Sequence, residues 1–426
     1  MSLTQGSLKH PNWSFTAFAM IADDLAGACD TSAEFLPRLG AVTVFIDSDN
    51  PVVPFDQSKT LVVWNTESRS LSEEAAYKKV RRACTHALQP KTHILLKKAD
   101  SAFRGHYGRE IAAVMDAWPN AVTGLFPAIP TFGRVTRNGV QYLNGVPIAD
   151  SFYRQDPKHP VKESRVAIMA SQGNPRQIAH LTLKMIRNPR NHQILNMLLQ
   201  AGYHLIIADS ETQDDLNRAV SLFVHQYTHL ILVGGQGMGQ AIAQYCLPLK
   251  SQETWSPIPE GPIVIVCGSL HPRTRQQLQT FSKTFNVEPV TILRNRTELK
   301  LSRNAGRKVV GRLLDQISRS KVGVLTSPEH DLLDPVLVET VLADTIKALN
   351  QQTPIRGLIL TGGSTAYTVC RCLGVRQLQL RQRMGFGVIV AQAPELSGMV
   401  IGIKGGSLGE REAFINLVKF QESLQS

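Results

Sequence analysis

Apolar runs of strand length recur along the chain, and stretches with helical periodicity separate them. In the first half the runs are Phe15–Ile21, Ala41–Ile46, Thr60–Trp64, His93–Leu96, Val122–Phe126, His204–Ala208 and His229–Val233. Helical patterns lie between most of them, as over Ser72–Leu88 and Tyr107–Trp118. The runs are nearly continuous in apolar residues, with little alternation. That suits parallel strands covered on both faces. A polar, turn-rich segment, Leu249–Pro262, interrupts the pattern and reads as a linker. The alternation then restarts, with strands at Ile263–Cys267, Val290–Leu293, Lys321–Thr326 and Arg356–Thr361. Helices start at Pro272 and cover Ala305–Ser318, Pro335–Asn350 and Ser364–Leu373. Two closely spaced strands, Gly387–Ala391 and Met399–Lys404, and a last helix end the chain. The pattern predicts an α/β protein of two Rossmann-like domains, residues 14–250 and 263–426, joined by 251–262. Mostly parallel sheets and an interdomain cleft are expected.

Composition adds bounds. A chain of 426 residues exceeds one ordinary core, in keeping with two domains. The net charge of +12 raises nucleic-acid binding, but the basic residues are spread along the chain with no block and no interleaved aromatics. A local attraction for anionic small molecules is the better expectation. None of the six cysteines has a zinc spacing, and the C-x-C at 370–372 falls in a helical pattern. Reduced thiols and a cytoplasmic location are therefore expected. The apolar run near the N-terminus is cut by Asp23 and Asp24, so no signal peptide is expected. No stretch is long enough to span a membrane.

In open α/β sheets ligands bind outside the carboxyl ends of the strands, so the chemistry is sought there. Asp23 and Asp24 come directly after the first strand. One can cap the next helix; a second carboxylate beside it calls for a facing cation or hydroxyl. After His93–Leu96 comes "KKADSAFRGHYGRE", in which Asp100, Ser101 and Arg104 are interleaved with Gly105. An arginine fork matches a carboxylate, while Asp and Ser can hold hydroxyls. After Val122–Phe126 a hairpin is expected with its turn at Asn138-Gly139, and Arg134 leaves the same sheet edge. In the second half, Gly268-Ser269, Gly362-Gly363-Ser364-Thr365 and Lys404-Gly405-Gly406 each stand at the carboxyl end of a strand. Glycine and hydroxyl residues at helix N-termini are suited to phosphate. Neither a Walker pattern nor G-x-G-x-x-G is present.

Taken together, these segments resemble the four-carbon acid sugar kinase family. "IADDLAGACDT" resembles its opening I-A-D-D-x-T-G-A-x-D, and "KKADSAFRG" its K-x-D-S-T-x-R-G. "PAIPTFGRVTRNGVQYLNGVPI" resembles the P-A-x-P-x-x-G-R segment with its hairpin, and "RQDPKHPVKES" the D-P-x-x-P-x-x-x-S stretch. "CGSLHPRTRQQ", "TGGST" and "KGGSLG" resemble the family's three C-terminal glycine segments. The resemblance implies an ATP-dependent kinase acting on the terminal hydroxyl of a threonate, erythronate or oxo-tetronate. It implies a first domain that binds the acid and a second that binds ATP, with Mg²⁺ arriving on the nucleotide.

By this resemblance Asp24, Arg69, Asp100, Ser101 and Arg104 match substrate-side positions, and Asp23 and Arg134 are read with them. Ser269, Gly362, Gly363, Ser364, Thr365 and Gly406 match nucleotide-side positions, and Lys404 is expected to neutralise phosphate charge. Arg104 and Arg69 are expected to take the substrate carboxylate. Asp24 is the first candidate for general base and Asp100 the second; no metal ligand is singled out. Small-molecule acid and ATP are the expected partners, without nucleic acid or membrane, and a homodimer is allowed for. Four departures stand out: Ala102 for Thr, Ser364 for an acid, His271 for Ser and Leu408 for Phe. Ser364 and Leu408 motivate the alternative of a sugar-acid or nucleotide-binding protein of the same fold with weak or lost transfer.

Overall fold

The computed structural model describes residues 18–40, 42–49, 61–156, 158–249, 258, 260–292, 303–328 and 334–425. Most of the expected linker and the expected strand positions Phe15–Ala17, Ala41, Thr60 and Leu293 lie outside them. Contacts divide the described residues into two compact units. The first takes those within Met1–Asp23, Glu34–Gly40 and Phe55–Ser251; the second takes those within Asp24–Ala33, Ala41–Pro54 and Gln252–Ser426. Two early segments thus group with the later half, a division that a single boundary at 251–262 does not describe.

In the first unit the strands lie in the order Leu61–Asn65, Phe18–Ala22, Ile94–Lys98, Leu230–Gly234, Val122–Phe126, Leu205–Ala208 and Ile178–Leu181. The pairings within this sheet are parallel. Its central strands are buried along their whole length, which is why their sequences run apolar without alternation. Helices cover the sheet with apolar stripes. Over Glu73–Ala87 the buried residues are Ala76, Val80, Ala83, Cys84 and Ala87, and the Ser72 side chain caps the start. A separate antiparallel hairpin, Arg134–Arg137 with Val140–Leu143, turns at Asn138 and Gly139, both at positive φ. Both turn amides donate to Asp209.

In the second unit the order is Val290–Thr291, Val322–Thr326, Ile263–Cys267, Gly357–Thr361, Met399–Lys404, Val388–Ala393, Gln377–Gly385 and Val42–Phe45. The first five are parallel and the last three antiparallel additions. Gln377–Gly385 is not among the expected strands, and neither is Ile178–Leu181. Both alternate buried and half-buried residues over at least part of their length, so neither is a continuous apolar run.

Register fixes where each sheet's chemistry emerges. In the first unit Ala22 is level with Asn65 and with Lys98, and Lys98 with Gly234. Asp23, Thr66 and Ala99 therefore leave one edge together. In the second, Cys267 is level with Thr326 and Thr361, and Thr361 with Lys404. Gly268, Ser327, Gly362 and Gly405 leave that edge side by side.

Candidate active-site residues

At the carboxyl edge of the first unit, Asp23 is buried and faced by two cations. Arg69 directs Nε (2.9 Å) and Nη2 (2.7 Å) at its Oδ2, and Lys98 Nζ donates to Oδ1 at 2.8 Å. Burial alone would raise the Asp23 pKa, but Arg69 and Lys98 outweigh it and hold the carboxyl well below the usual range. The adjacent lysines part company because neighbouring strand residues face opposite sides. Lys97 goes to Glu110 at 2.7 Å, and Ser68 Oγ donates to the other oxygen of Glu110 at 2.8 Å.

Asp100 sits in a turn closed by Phe103 N–H to its carbonyl, with Phe103 held at φ 64°. That left-handed residue is sterically unfavourable and curls Arg104 back onto Asp100. Arg104 Nε and Nη2 each reach an oxygen of Asp100 at 2.9 Å, and its backbone N–H adds a third bond at 3.1 Å. Arg104 Nη1 contacts Asp156 at 3.3 Å. Burial opposes ionisation of Asp100, yet Arg104 and Arg69 hold its pKa well below the usual value. Gly105, at φ +86°, lets Arg69 pass: a Cβ there would stand 2.9 Å from Arg69 Cγ. Arg134 Nη1 donates to Ser101 Oγ at 2.7 Å and Nη2 donates to Tyr153 OH.

The structure thus brings together Asp23, Arg69, Asp100, Ser101, Arg104 and Arg134. Two of the expected roles have to be set against pairings within this chain. The Asp100 carboxylate is held in its charged form by Arg104 and Arg69, which weighs against it as the base. Arg104 and Arg69 already direct their forks at carboxylates of this chain. Lys98, Tyr153 and Asp156 also belong to the cluster, and sequence reasoning misses them as site residues. Asp156 carries a turn signal, since its Oδ1 accepts from the backbone of Lys158 (3.0 Å) and His159 (2.8 Å).

Asp24 parts from Asp23 and belongs to the second unit. It caps the helix Leu25–Ser32 through Gly27 N–H at 3.3 Å. A Cβ on Gly363 would stand 3.0 Å from its Oδ2, so the carboxylate lies beside the glycine turn. Gly362, at φ +98°, leads into the helix Gly363–Cys372. Ser269, Gly362, Thr365 and Gly406 converge: a Cβ on Gly406 would meet Ser269 Oγ at 2.6 Å, and one on Gly362 would meet Thr365 Oγ1 at 3.4 Å. Ser364 donates its hydroxyl to Glu339 at 2.5 Å, so a carboxylate from the helix Pro335–Gln352 stands beside the turn. Arg275 also lies at this edge, reaching Thr326 Oγ1 at 2.7 Å and Ser327 Oγ at 2.8 Å.

Lys404, expected to neutralise phosphate charge, is engaged by groups of this chain. Its Nζ is buried and donates to Thr274 Oγ1 (3.0 Å) and to the carbonyls of Gly405 (2.8 Å) and Leu408 (3.1 Å). Burial pushes its pKa down to about 8, with Cys267 acting the other way. Lys404 pins the Gly405–Leu408 turn. Among the described residues no group of three or more His, Cys, Asp or Glu side chains could hold a metal, and no helix is long and apolar enough to cross a membrane.

Residues 18–242 match the family model of a sugar-binding N-terminal domain, and residues 264–414 that of a nucleotide-binding C-terminal domain. The chain belongs to the four-carbon acid sugar kinase family, which joins these two domains. It is 25% identical to the D-erythronate kinase of Heliobacterium modesticaldum over 94% of this chain and 96% of that one. It is 24% identical to the D-threonate kinase of Salmonella typhimurium over 95% and 98%. The D-threonate kinase of Cupriavidus necator is 27% identical over 93% and 96%. Solved structures of proteins from Haemophilus influenzae (TM-score 0.72, 18% identity, 95% and 99% covered) and Salmonella typhimurium (0.77, 19%, 93% and 98%) share the fold.

Proposed function

We propose that this chain transfers the γ-phosphoryl group of ATP to a hydroxyl of a four-carbon sugar acid such as threonate or erythronate. The observation that carries the reading is the pairing of two unlike edges in one chain. One is a cluster of arginine, lysine and aspartate suited to a hydroxy acid; the other is a glycine and hydroxyl turn suited to phosphates. Phosphoryl transfer asks a protein chiefly for positioning and charge stabilisation. Asp100 and Ser101 are proposed to accept from, or donate to, substrate hydroxyls. Backbone N–H groups around Gly362–Thr365, with Ser269 and Gly406, are proposed to hold the nucleotide phosphates. Asp24, beside that turn and next in sequence to Asp23, is the proposed base that takes the acceptor proton. Mg²⁺ would supply charge neutralisation on the phosphates, and Glu339, beside the turn, is the carboxylate that would suit it, leaving Asp24 as the base.

The test is ADP release with Mg²⁺-ATP over a panel of C4 and C3 sugar acids. Turnover on at least one C4 acid is expected. Asp24→Asn should lower that turnover by about two to four orders of magnitude with little change in acid affinity. Tight ATP binding without turnover on any acid would favour a binding protein, and near-normal turnover of Asp24→Asn would remove the base assignment.

A further inference from the structure

The cations of the first unit's cluster are not equivalent. Arg69 and Lys98 are paired with Asp23, and Arg104 is clasped between Asp100 and Asp156. Arg134 differs. Its side chain donates to two neutral groups, Ser101 Oγ and Tyr153 OH, and its Nε is buried with no hydrogen-bond partner. Among the described residues it has no carboxylate partner. Among the described residues Arg69, Lys98 and Arg104 each meet Asp23, Asp100 or Asp156, whereas Arg134 meets none of the three. Burial, and then Arg69, lower the pKa of His159 beside this cluster.

Arg134 is half-buried, and a guanidinium set there among neutral partners is suited to take an anion. Its placement is also firm. Arg134 exchanges both backbone hydrogen bonds with Ile129 (2.8 and 3.2 Å), and its guanidinium lies 5.5 Å from the centre of the buried Tyr153 ring. Arg104 lies 5.1 Å from the same ring centre, so Tyr153 spaces the occupied fork from the uncompensated one.

We propose that Arg134, held in place by Ser101 and Tyr153, receives the carboxylate of the acid substrate, while Arg104 and Arg69 form a fixed frame that orders Asp100 and Asp23 for the substrate's hydroxyls. This rests on the sugar-acid reading above. It assigns the selection of acid over neutral sugar to one side chain.

The test uses the full chain and calorimetric titration with D-threonate, D-erythronate and their carboxamides, which keep every hydroxyl and lose the charge. Wild type should bind one of the acids more tightly than its amide by about 10- to 100-fold. Arg134→Met should remove that preference, with amide affinity close to wild type. Tyr153→Phe, which keeps the ring and drops the hydroxyl, should weaken the preference several-fold. It serves as the second variant if Arg134→Met does not fold. A full acid preference in Arg134→Met, or in Tyr153→Phe where Arg134→Met does not fold, would overturn the proposal while leaving the sugar-acid reading intact. Failure of wild type to bind either acid would overturn both.

Discussion

Under the proposed function, the two carboxyl edges hold an anion in opposite ways. The first unit does it with side-chain charge: buried carboxylates fix arginine and lysine in place before any ligand arrives. The second does it by leaving side chains out. Gly362, Gly363 and Gly406 open the backbone, and Lys404 at the same edge is turned inward to hold the loop. A polyol acid offers a few directional groups, and rigid charged partners can discriminate among them. A polyphosphate offers many equivalent oxygens, and backbone N–H groups can meet those only where no Cβ intervenes.

The largest effect is expected where that absence is removed. In Gly363→Val the new Cβ would come within 3.0 Å of Asp24 Oδ2 and 3.4 Å of Ala26 Cβ. ATP binding should fall below detection by calorimetry while acid binding persists. Tight ATP binding by the variant would erase the contrast between the edges. The sharpest test of the charged edge is Asp23→Asn, which leaves Arg69 and Lys98 facing a neutral amide. Breaking such a buried pairing costs about 3–5 kcal/mol, measurable by urea unfolding at pH 7. Asp23 and Asp100 have folded pKa values below their unfolded ones, so their stabilisation is present above about pH 4 and is lost as pH falls below it. Wild type should therefore lose stability steeply between about pH 4 and pH 2, and Asp23→Asn less steeply. Equal acid slopes would mean that Asp23 is not held as described. The smallest effect concerns Ser364. An Asp there would meet Glu339, whose oxygen now stands 2.5 Å from the hydroxyl. Ser364→Asp should weaken nucleotide binding several-fold in the absence of Mg²⁺, and Glu339→Gln should restore it. Tighter metal-free binding by Ser364→Asp would refute the like-charge argument.

The same contrast accounts for how much of the molecule is legible in the sequence. Continuous apolar runs mark the buried parallel strands, because burial on both faces leaves no room for polar residues. The glycine turns and the Asp-Ser-Arg run are legible as local patterns. Donor allocation is not. That Arg104 folds back on Asp100 depends on the left-handed Phe103, and that Lys404 points inward depends on carbonyls of a loop it precedes. Neither residue type announces such a geometry. Tyr153 and Asp156 are hidden because they come from a segment remote in sequence that only the fold brings to Arg104. The strand Gln377–Gly385 is hidden because its glutamines and arginines are half-buried and conceal an alternating pattern.

The way the chain is divided between its units bears on how such a protein can be taken apart. Val42–Phe45 pairs antiparallel with Gln377–Leu380, and Asp30 accepts a hydrogen bond from Gly387 N–H at 3.1 Å, so early residues complete the later unit. A gene cut at the polar segment before Pro262 would not yield two modules. Its downstream product would carry a raw strand edge where Val42–Phe45 had been, open to pairing with other copies of itself. Circular permutation and fragment expression therefore have to respect a seam that passes through residues 24–33 and 42–49 as well as through the segment the eye picks out.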